Sequence, residues 1–409
     1  MPAIAGRLCA ALFLSASAAW AQHPIRVCAG GDVTLGTNLD AGWAKTAAAK
    51  LYSDYGLSAD PDSLAPQLRP FTTGADLMLL NIEGAIGDGR VPSKCGPREK
   101  NCFAFRMPPN SATALRRIVD SSVVMVGNVA NNHAHDAGNP GRDSSIAALE
   151  AAGFAVTGVD SIATPVALPS GDTIGVLGFY TDNDTPDARD LAAVKRYVER
   201  AVATYHTVIV TMHLGAEGPD AQRTKNTNEI FLKKINRGNP VGFADAAFAG
   251  GATLVVGHGP HVLRAAQWRG DRLVFYSLGN LLTYGPFNLK EPMNRGAIAC
   301  ATIDSAGYVS NAELRPTMQL APGVLVADST KRAWALVDSL GKLDFPMTGA
   351  SVDSTGALGR RSMLAEEPKA TAKPKSAKSR PSSPAAGRRA PSSPSNRRAK
   401  GRGAPPSRS

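Results

Sequence analysis

The stretch that most constrains this chain is Gly127–Gly138, GNVANNHAHDAG, together with the apolar run leading into it. Ser122–Gly127 reads as a short strand buried on both faces. It breaks into a loop dense in amide, imidazole and carboxylate groups: Asn128, Asn131, Asn132, His133, His135 and Asp136. A buried strand opening into a polar loop fits an α/β fold, where ligands collect beyond the carboxyl ends of the strands. There Asn132 offers a carbonyl oxygen to a metal, and His133 offers a group that exchanges a proton near neutral pH. The alternative is a turn that caps itself through Asn and Asp.

Recurrence favours the site. Ile25–Gly36 is a strand running into Gly30-Gly31-Asp32, and Asp76–Gly84 is a second that ends in Asn81-Ile82-Glu83. Thr207–Met212 delivers His213, and Thr253–Val256 leads into Gly257-His258-Gly259-Pro260-His261. Two histidines three apart on a Gly/Pro turn can face one point, and imidazole is the commonest side-chain ligand for zinc-like metals. Between these strands the pattern predicts helices at Asn110–Asp120, Arg142–Ala152, Pro186–Thr204, Pro240–Ala249 and Lys331–Leu340. Further strands are expected at Phe154–Gly158, Thr173–Tyr180, Val262–Trp268, Arg272–Leu278 and Gly296–Ile303, with Gly270-Asp271 as a hairpin turn. Gly87–Pro109 is a long loop of the kind that serves as a lid, and its Arg106 is placed to clamp a phosphate or carboxylate. Ser277–Asn280 lies between two strands and would buttress the site. Arg106 and Asn280 are therefore the candidate substrate contacts.

The two ends read differently from the middle. Met1–Ala21 has the basic start, apolar stretch and Ala-Trp-Ala junction of a secretory signal peptide, so the protein is expected to be exported to the periplasm or cell envelope. Export permits disulfides. Without Cys9, Cys28, Cys95, Cys102 and Cys300 remain. Cys95 and Cys102 would close the loop CGPREKNC. Cys28 and Cys300 would join the first and last core strands, or would remain two buried thiols. From Pro368 to Ser409 there are 12 Lys/Arg and no Asp/Glu, so the net charge of +11 leaves about −1 for everything before that segment. The resulting division is a signal at 1–21, a folded domain at 22–345 and a disordered Pro/Ser/Lys/Arg-rich basic tail at 346–409. The tail is expected to tether the domain to an anionic envelope component. It lacks the interleaved aromatics that stack on bases, which argues against a specific nucleic-acid partner.

Asp32, Glu83, Asn132, His213, His258 and His261 form a carboxylate, amide and imidazole donor set without thiolate. That set suits manganese, iron or zinc better than calcium or magnesium, with one or two ions. Such a site could activate water for phosphoryl transfer while His133 protonates the leaving group. The ordered motifs GDVTLG, NIEG, FRMPP, NVANNHAHDAG, MHLGAEG, GHGPHVL and YSLGNLL span about Ile25 to Asp304. In them the chain resembles the CapA family, capsule-synthesis proteins associated with poly-γ-glutamate, within the calcineurin-like metallophosphoesterase superfamily. The resemblance implies a four-layer α/β/β/α sandwich, metal-ligand roles for the six residues above, and a general-acid role for His133. It departs from the superfamily at Thr34, where a histidine ligand is usual, and at Glu83, where a bridging Asp is usual. The function it implies is metal-dependent hydrolysis of a phosphoester or an anionic envelope polymer. The alternative is a non-catalytic, polymer-binding subunit of a membrane synthetase or export complex.

Overall fold

The computed structural model describes residues 23–36, 41–87, 95 and 102–361. The signal segment at 1–21, much of the expected lid loop and residues 362–409 of the basic tail lie outside the described residues.

Ile25–Leu35 is the strand on which the first, eight-stranded sheet is built. One edge pairs in parallel with Leu77–Ile82, followed by Val124–Asn128 and Phe154–Thr157 in the same direction. The other edge is shared. Its first half runs antiparallel to Arg295–Ile303, and its second half runs parallel to Asn280–Tyr284. Val309–Leu320 and Val324–Ala327 extend the sheet beyond Arg295–Ile303. In the second, six-stranded sheet, Thr173–Tyr180, Val208–His213, Leu254–His258 and Arg272–Phe275 are parallel. Its edges are antiparallel, and Ala266–Arg269 meets Arg272–Phe275 at the expected Gly270-Asp271 hairpin.

The side-chain period of two assigns each strand residue a layer. Val27, Ala29, Leu77 and Leu79 enter the core between the sheets, where they meet Val176, Ile209, Leu254 and Phe275. Cys28, Met78 and Leu80 point to the opposite face, which Leu51, Leu115 and Leu149 cover from three helices. The outer face of the second sheet is closed by Leu191–Val202 and Pro240–Ala249 through Val194, Val198, Phe243 and Ala247. Asp190 caps the first of these helices through Ala193 N–H, and Asn239 caps the second through Gly242 N–H. The result is the expected four-layer α/β/β/α sandwich. Strands covered on both faces need apolar side chains on both, so these runs lack polar alternation.

Both expected cross-links are present, Cys28–Cys300 and Cys95–Cys102. Cys28 and Cys300 stand directly opposite one another across the antiparallel pair. The fold runs past the boundary expected at 345. Trp268 N–H bonds Thr348 O, Ala350 N–H bonds Ala266 O, and Ser351–Val352 pairs with Leu358–Gly359. Ala350 and Leu358 are buried in the core between the sheets. Residues 346–361 therefore belong to the domain, and the tail reading does not hold for them. Two-residue strands are too short to show a period in the sequence.

Candidate metal centre

The carboxyl ends of the parallel strands place two rows of polar residues side by side. In the first sheet Asp32, Asn81 and Asn128 are in register; in the second, Tyr180, His213 and His258 are. Asn81 ties the rows together. Its Nδ2 donates to Asp32 Oδ1 at 2.8 Å and lies 3.1 Å from His213 Nδ1. Its Oδ1 accepts from Asn128 and Asn131. Asp32 is delivered by a close crossing, since its N–H bonds Gly279 O at 3.0 Å. The neighbouring Gly31 must lack a side chain, because a Cβ there would stand 1.9 Å from that same oxygen.

His261 completes the cluster. Its Nδ1 is 3.1 Å from Asp32 Oδ2, and its Nε2 is 3.7 Å from Glu83 Oε1. The backbone there is left-handed, with φ +59°, a conformation that a non-glycine residue keeps only when its surroundings enforce it. Asn280 supplies part of that enforcement, with its Oδ1 3.0 Å from His261 Nδ1 and its Nδ2 donating to Met293 O. His213 Nε2 lies 3.7 Å from Glu83 Oε1, and His258 Nδ1 lies 3.8 Å from Asp32 Oδ1. One donor atom each from Asp32, Glu83 and His261 fall within 4.8 Å of one another.

Buried polar atoms normally find partners. Here both carboxylate oxygens of Glu83, Nε2 of His213 and both ring nitrogens of His258 have no hydrogen-bond partner. A divalent cation fits such a donor set, and these residues could hold one. The protonation pattern agrees. Burial, and then the charge of Asp32, push Glu83 well above the ordinary carboxylate range. Burial works against a proton on His261, but Glu83 and Asp32 outweigh it and lift that imidazole to about 10. Asp32 would rise through burial, yet the hydrogen bond and charge of His261 hold it below its usual value. Burial and Arg237 push His213 well down, and burial brings His258 to about 4.

These directions fix the sign of a pH effect. Around neutrality His261 keeps a proton that a cation must displace, whereas His213 and His258 are already neutral. Apparent metal affinity should therefore rise with pH. The rise in Tm produced by manganese is expected to be larger at about pH 8.5 than at about pH 6. An equal or smaller rise at the higher pH would contradict proton competition.

Beyond the cluster lie two adjoining cavities of about 210 and 580 Å³ that share Phe103, His133, Glu217 and Phe231 in their walls. His133 stands between them. Its Nδ1 is 2.6 Å from Asp136 Oδ2, which also accepts from Phe105 N–H. Phe105 packs 4.4 Å from the His133 ring and stacks on Phe287. The opposite wall holds Arg237, a buried guanidinium 3.0 Å from Glu217 Oε1 that donates to the Tyr180 hydroxyl and to Gly215 O.

The structure thus brings Asp32, Glu83, His213, His258 and His261 together with His133 nearby. Asn132 lines the larger cavity beside His133. Its neighbour Asn131 turns inward instead, donating to Asn81 Oδ1 and Ile82 O and accepting from His133 N–H. Two expectations change. Asn280 is fully buried, engaged with His261 and Met293, and lines neither cavity, so it braces His261. Arg106 sits on a short strand beside Ala85 and lines neither cavity; the guanidinium that does is Arg237. Thr34, at the departure from the superfamily pattern, donates its hydroxyl to Glu83 O and braces that strand end. Sequence reasoning missed Asn81, Asp136, Glu217 and Arg237 as site residues. The first three lie inside the quoted motifs, at strand ends or three to four residues from a histidine, whereas nothing around Arg237 marks it.

Residues 26–284 match the family described as bacterial capsule synthesis protein PGA_cap, and the chain belongs to that family. No curated protein matches the sequence. Among solved structures the chain is similar to a 5'-nucleotidase precursor from Thermus thermophilus, at 12% identity and a TM-score of 0.34. That match covers 79% of this chain, and the chain spans only 59% of the precursor's length. It is also similar to GAP50, the anchor in the inner membrane complex of Plasmodium, at 10% identity and a TM-score of 0.27. That match covers 77% of this chain and 95% of GAP50.

Proposed function

We propose that this protein is an exported hydrolase of bacterial capsule metabolism that depends on a divalent metal and acts on a phosphoester or an anionic polymer such as poly-γ-glutamate. The observation that carries the reading is the buried set of orphaned carboxylate and imidazole atoms beneath the His133 cavity. Asp32, Glu83, His213, His258 and His261, with Asn132 as a further donor, would hold one or two ions of manganese, iron or zinc. When bound, such an ion polarises the scissile group and acidifies a water. Asp136 engages Nδ1 of His133, which assigns Nε2 to the proton given to the leaving oxygen. Arg237, buried in the cavity wall, binds the substrate anion. Phe105 and Phe287 limit water around the imidazole. Export is supported by the two disulfides. Among the described residues, no helix is long and apolar enough to cross a membrane.

A second reading, a non-catalytic polymer-binding subunit of a membrane synthesis complex, draws support from Thr34, which removes one ligand usual in the wider superfamily. Turnover separates the two. Manganese-loaded protein is expected to hydrolyse bis-p-nitrophenyl phosphate or to shorten poly-γ-glutamate. His133→Asn should lower that rate by roughly 10²–10⁴-fold while keeping its metal. Asp136→Asn should lower it less. Tight polymer binding with no turnover on either substrate would decide for the binding subunit.

A further inference from the structure

Between Glu229 and Arg237 the chain makes a small hairpin, EIFLKKINR, in which Ile230–Phe231 pairs with Ile235–Asn236. Ile230, Leu232 and Ile235 are 51%, 50% and 39% exposed. Single exposed apolar residues are ordinary, but three on one protruding turn form a patch that calls for a partner. Lys233 and Lys234 stand exposed at its tip, and neither makes an ion pair among the described residues.

The tip is built rather than loose. Leu232 and Lys233, the central residues of the turn closed by Lys234 N–H to Phe231 O within a three-residue loop, take φ of +49° and +62°, the pair of left-handed residues that a primed β-turn requires. Asn-Gly makes that turn at least cost, while side chains such as Leu and Lys cost about 1–2 kcal/mol each in that region. The turn therefore keeps two costly side chains in water where cheaper ones would serve. Its base is fixed: Glu229 takes two hydrogen bonds from Arg264, at 2.8 and 2.7 Å, and a third from Ala216 N–H.

We infer that this hairpin is a membrane-docking wedge. Ile230, Leu232 and Ile235 enter the headgroup region of an anionic bilayer, and Lys233 and Lys234 meet lipid phosphates. The charge and the apolar tip must be explained together. A polyanion would engage the lysines and leave three apolar side chains in water. An anionic lipid surface takes both, because lysine stems lie along apolar surface while their heads reach the phosphates. Phe231, Leu232 and Ile235 also line the larger cavity, so docking sets the cavity mouth at headgroup level. The inference stands whether or not the cavity hydrolyses anything.

The test uses the full chain and vesicles of phosphatidylcholine, with and without phosphatidylglycerol, at about 0.15 M salt. Wild type is expected to sediment with the anionic vesicles. Ile230→Ser/Leu232→Ser/Ile235→Ser should weaken that binding roughly tenfold or more, and Lys233→Glu/Lys234→Glu should abolish the preference for anionic lipid. In Leu232→Trp the introduced indole should be quenched by lipids brominated near the headgroup, above the background of wild type. Binding that survives the triple serine change points to tethering by the basic terminal segment and overturns the wedge. An unquenched indole, or no vesicle binding by wild type, assigns the patch to a protein partner and overturns it equally. An unchanged Tm for each variant confirms that the fold is intact.

Discussion

His261→Ala is expected to reduce bound metal to background, to erase the rise in Tm caused by manganese and to lower any hydrolytic rate by at least about 100-fold. The geometry makes this residue the least replaceable of the cluster. Among the described residues it is the one imidazole within reach of both buried carboxylates, at 3.1 Å from Asp32 and 3.7 Å from Glu83, and Glu217 lies 4.0 Å away. Protonated, it is also the cation that offsets those acids when no metal is bound. Removing one partner of such a buried set costs about 3–5 kcal/mol, so the metal-free variant should be less stable as well. A ligand at about a thousand times its Kd adds about 4 kcal/mol to the native state. For a domain of this size that corresponds to a rise of roughly 6 °C in wild type and none in the variant. Asn280→Ala should fall between the two, since it leaves the ring but removes its hydrogen-bond partner. Elemental analysis and differential scanning calorimetry, with and without chelator, read all three proteins. A folded His261→Ala protein with wild-type metal content would mean that the orphaned atoms are not a metal site.

Those candidate donors were legible because each closes an apolar run. Leu77–Leu80 gives way to Asn81 and Glu83, and Val208–Met212 to His213, as strands buried on both faces must when they reach the sheet edge. What ties these donors together was not legible. Asn81 looks like an ordinary strand-end amide, and only the register of the two sheets turns it into the tie between Asp32 and His213. The choice between Asn131 and Asn132 depends on the course of one turn, which no periodicity encodes. Arg237 follows a two-residue strand in a segment without an apolar period, so its arrival in the cavity wall is a tertiary event. The domain end was misjudged for the same reason. Ala350 and Leu358 are single buried anchors in a short hairpin, and local pattern cannot separate them from a tail.

Replacing both Cys28 and Cys300 by Ala should cost far more stability than replacing both Cys95 and Cys102. The two cysteines are cross-strand partners with Cα atoms 4.0 Å apart, and their bond closes a loop with a sequence separation of 272. On the chain-entropy account a loop of that length restricts the unfolded state by about 5–6 kcal/mol, the upper end of what disulfides deliver. The expected fall in Tm is roughly 8 °C. Cys95–Cys102 spans a separation of only 7, and the same account gives its removal about 2 kcal/mol. Calorimetry of the two double variants tests the contrast. A loss of less than about 1 kcal/mol for the long bond would mean that the core alone already fixes the two strands. The strand that carries Cys28 ends in Asp32, whose carboxylate is set by Asn81 and whose backbone is set by Gly279. Well below its Tm, the Cys28→Ala/Cys300→Ala protein is therefore expected to bind metal as wild type does. Loss of metal there would instead show that the cross-link reaches the site through its strand.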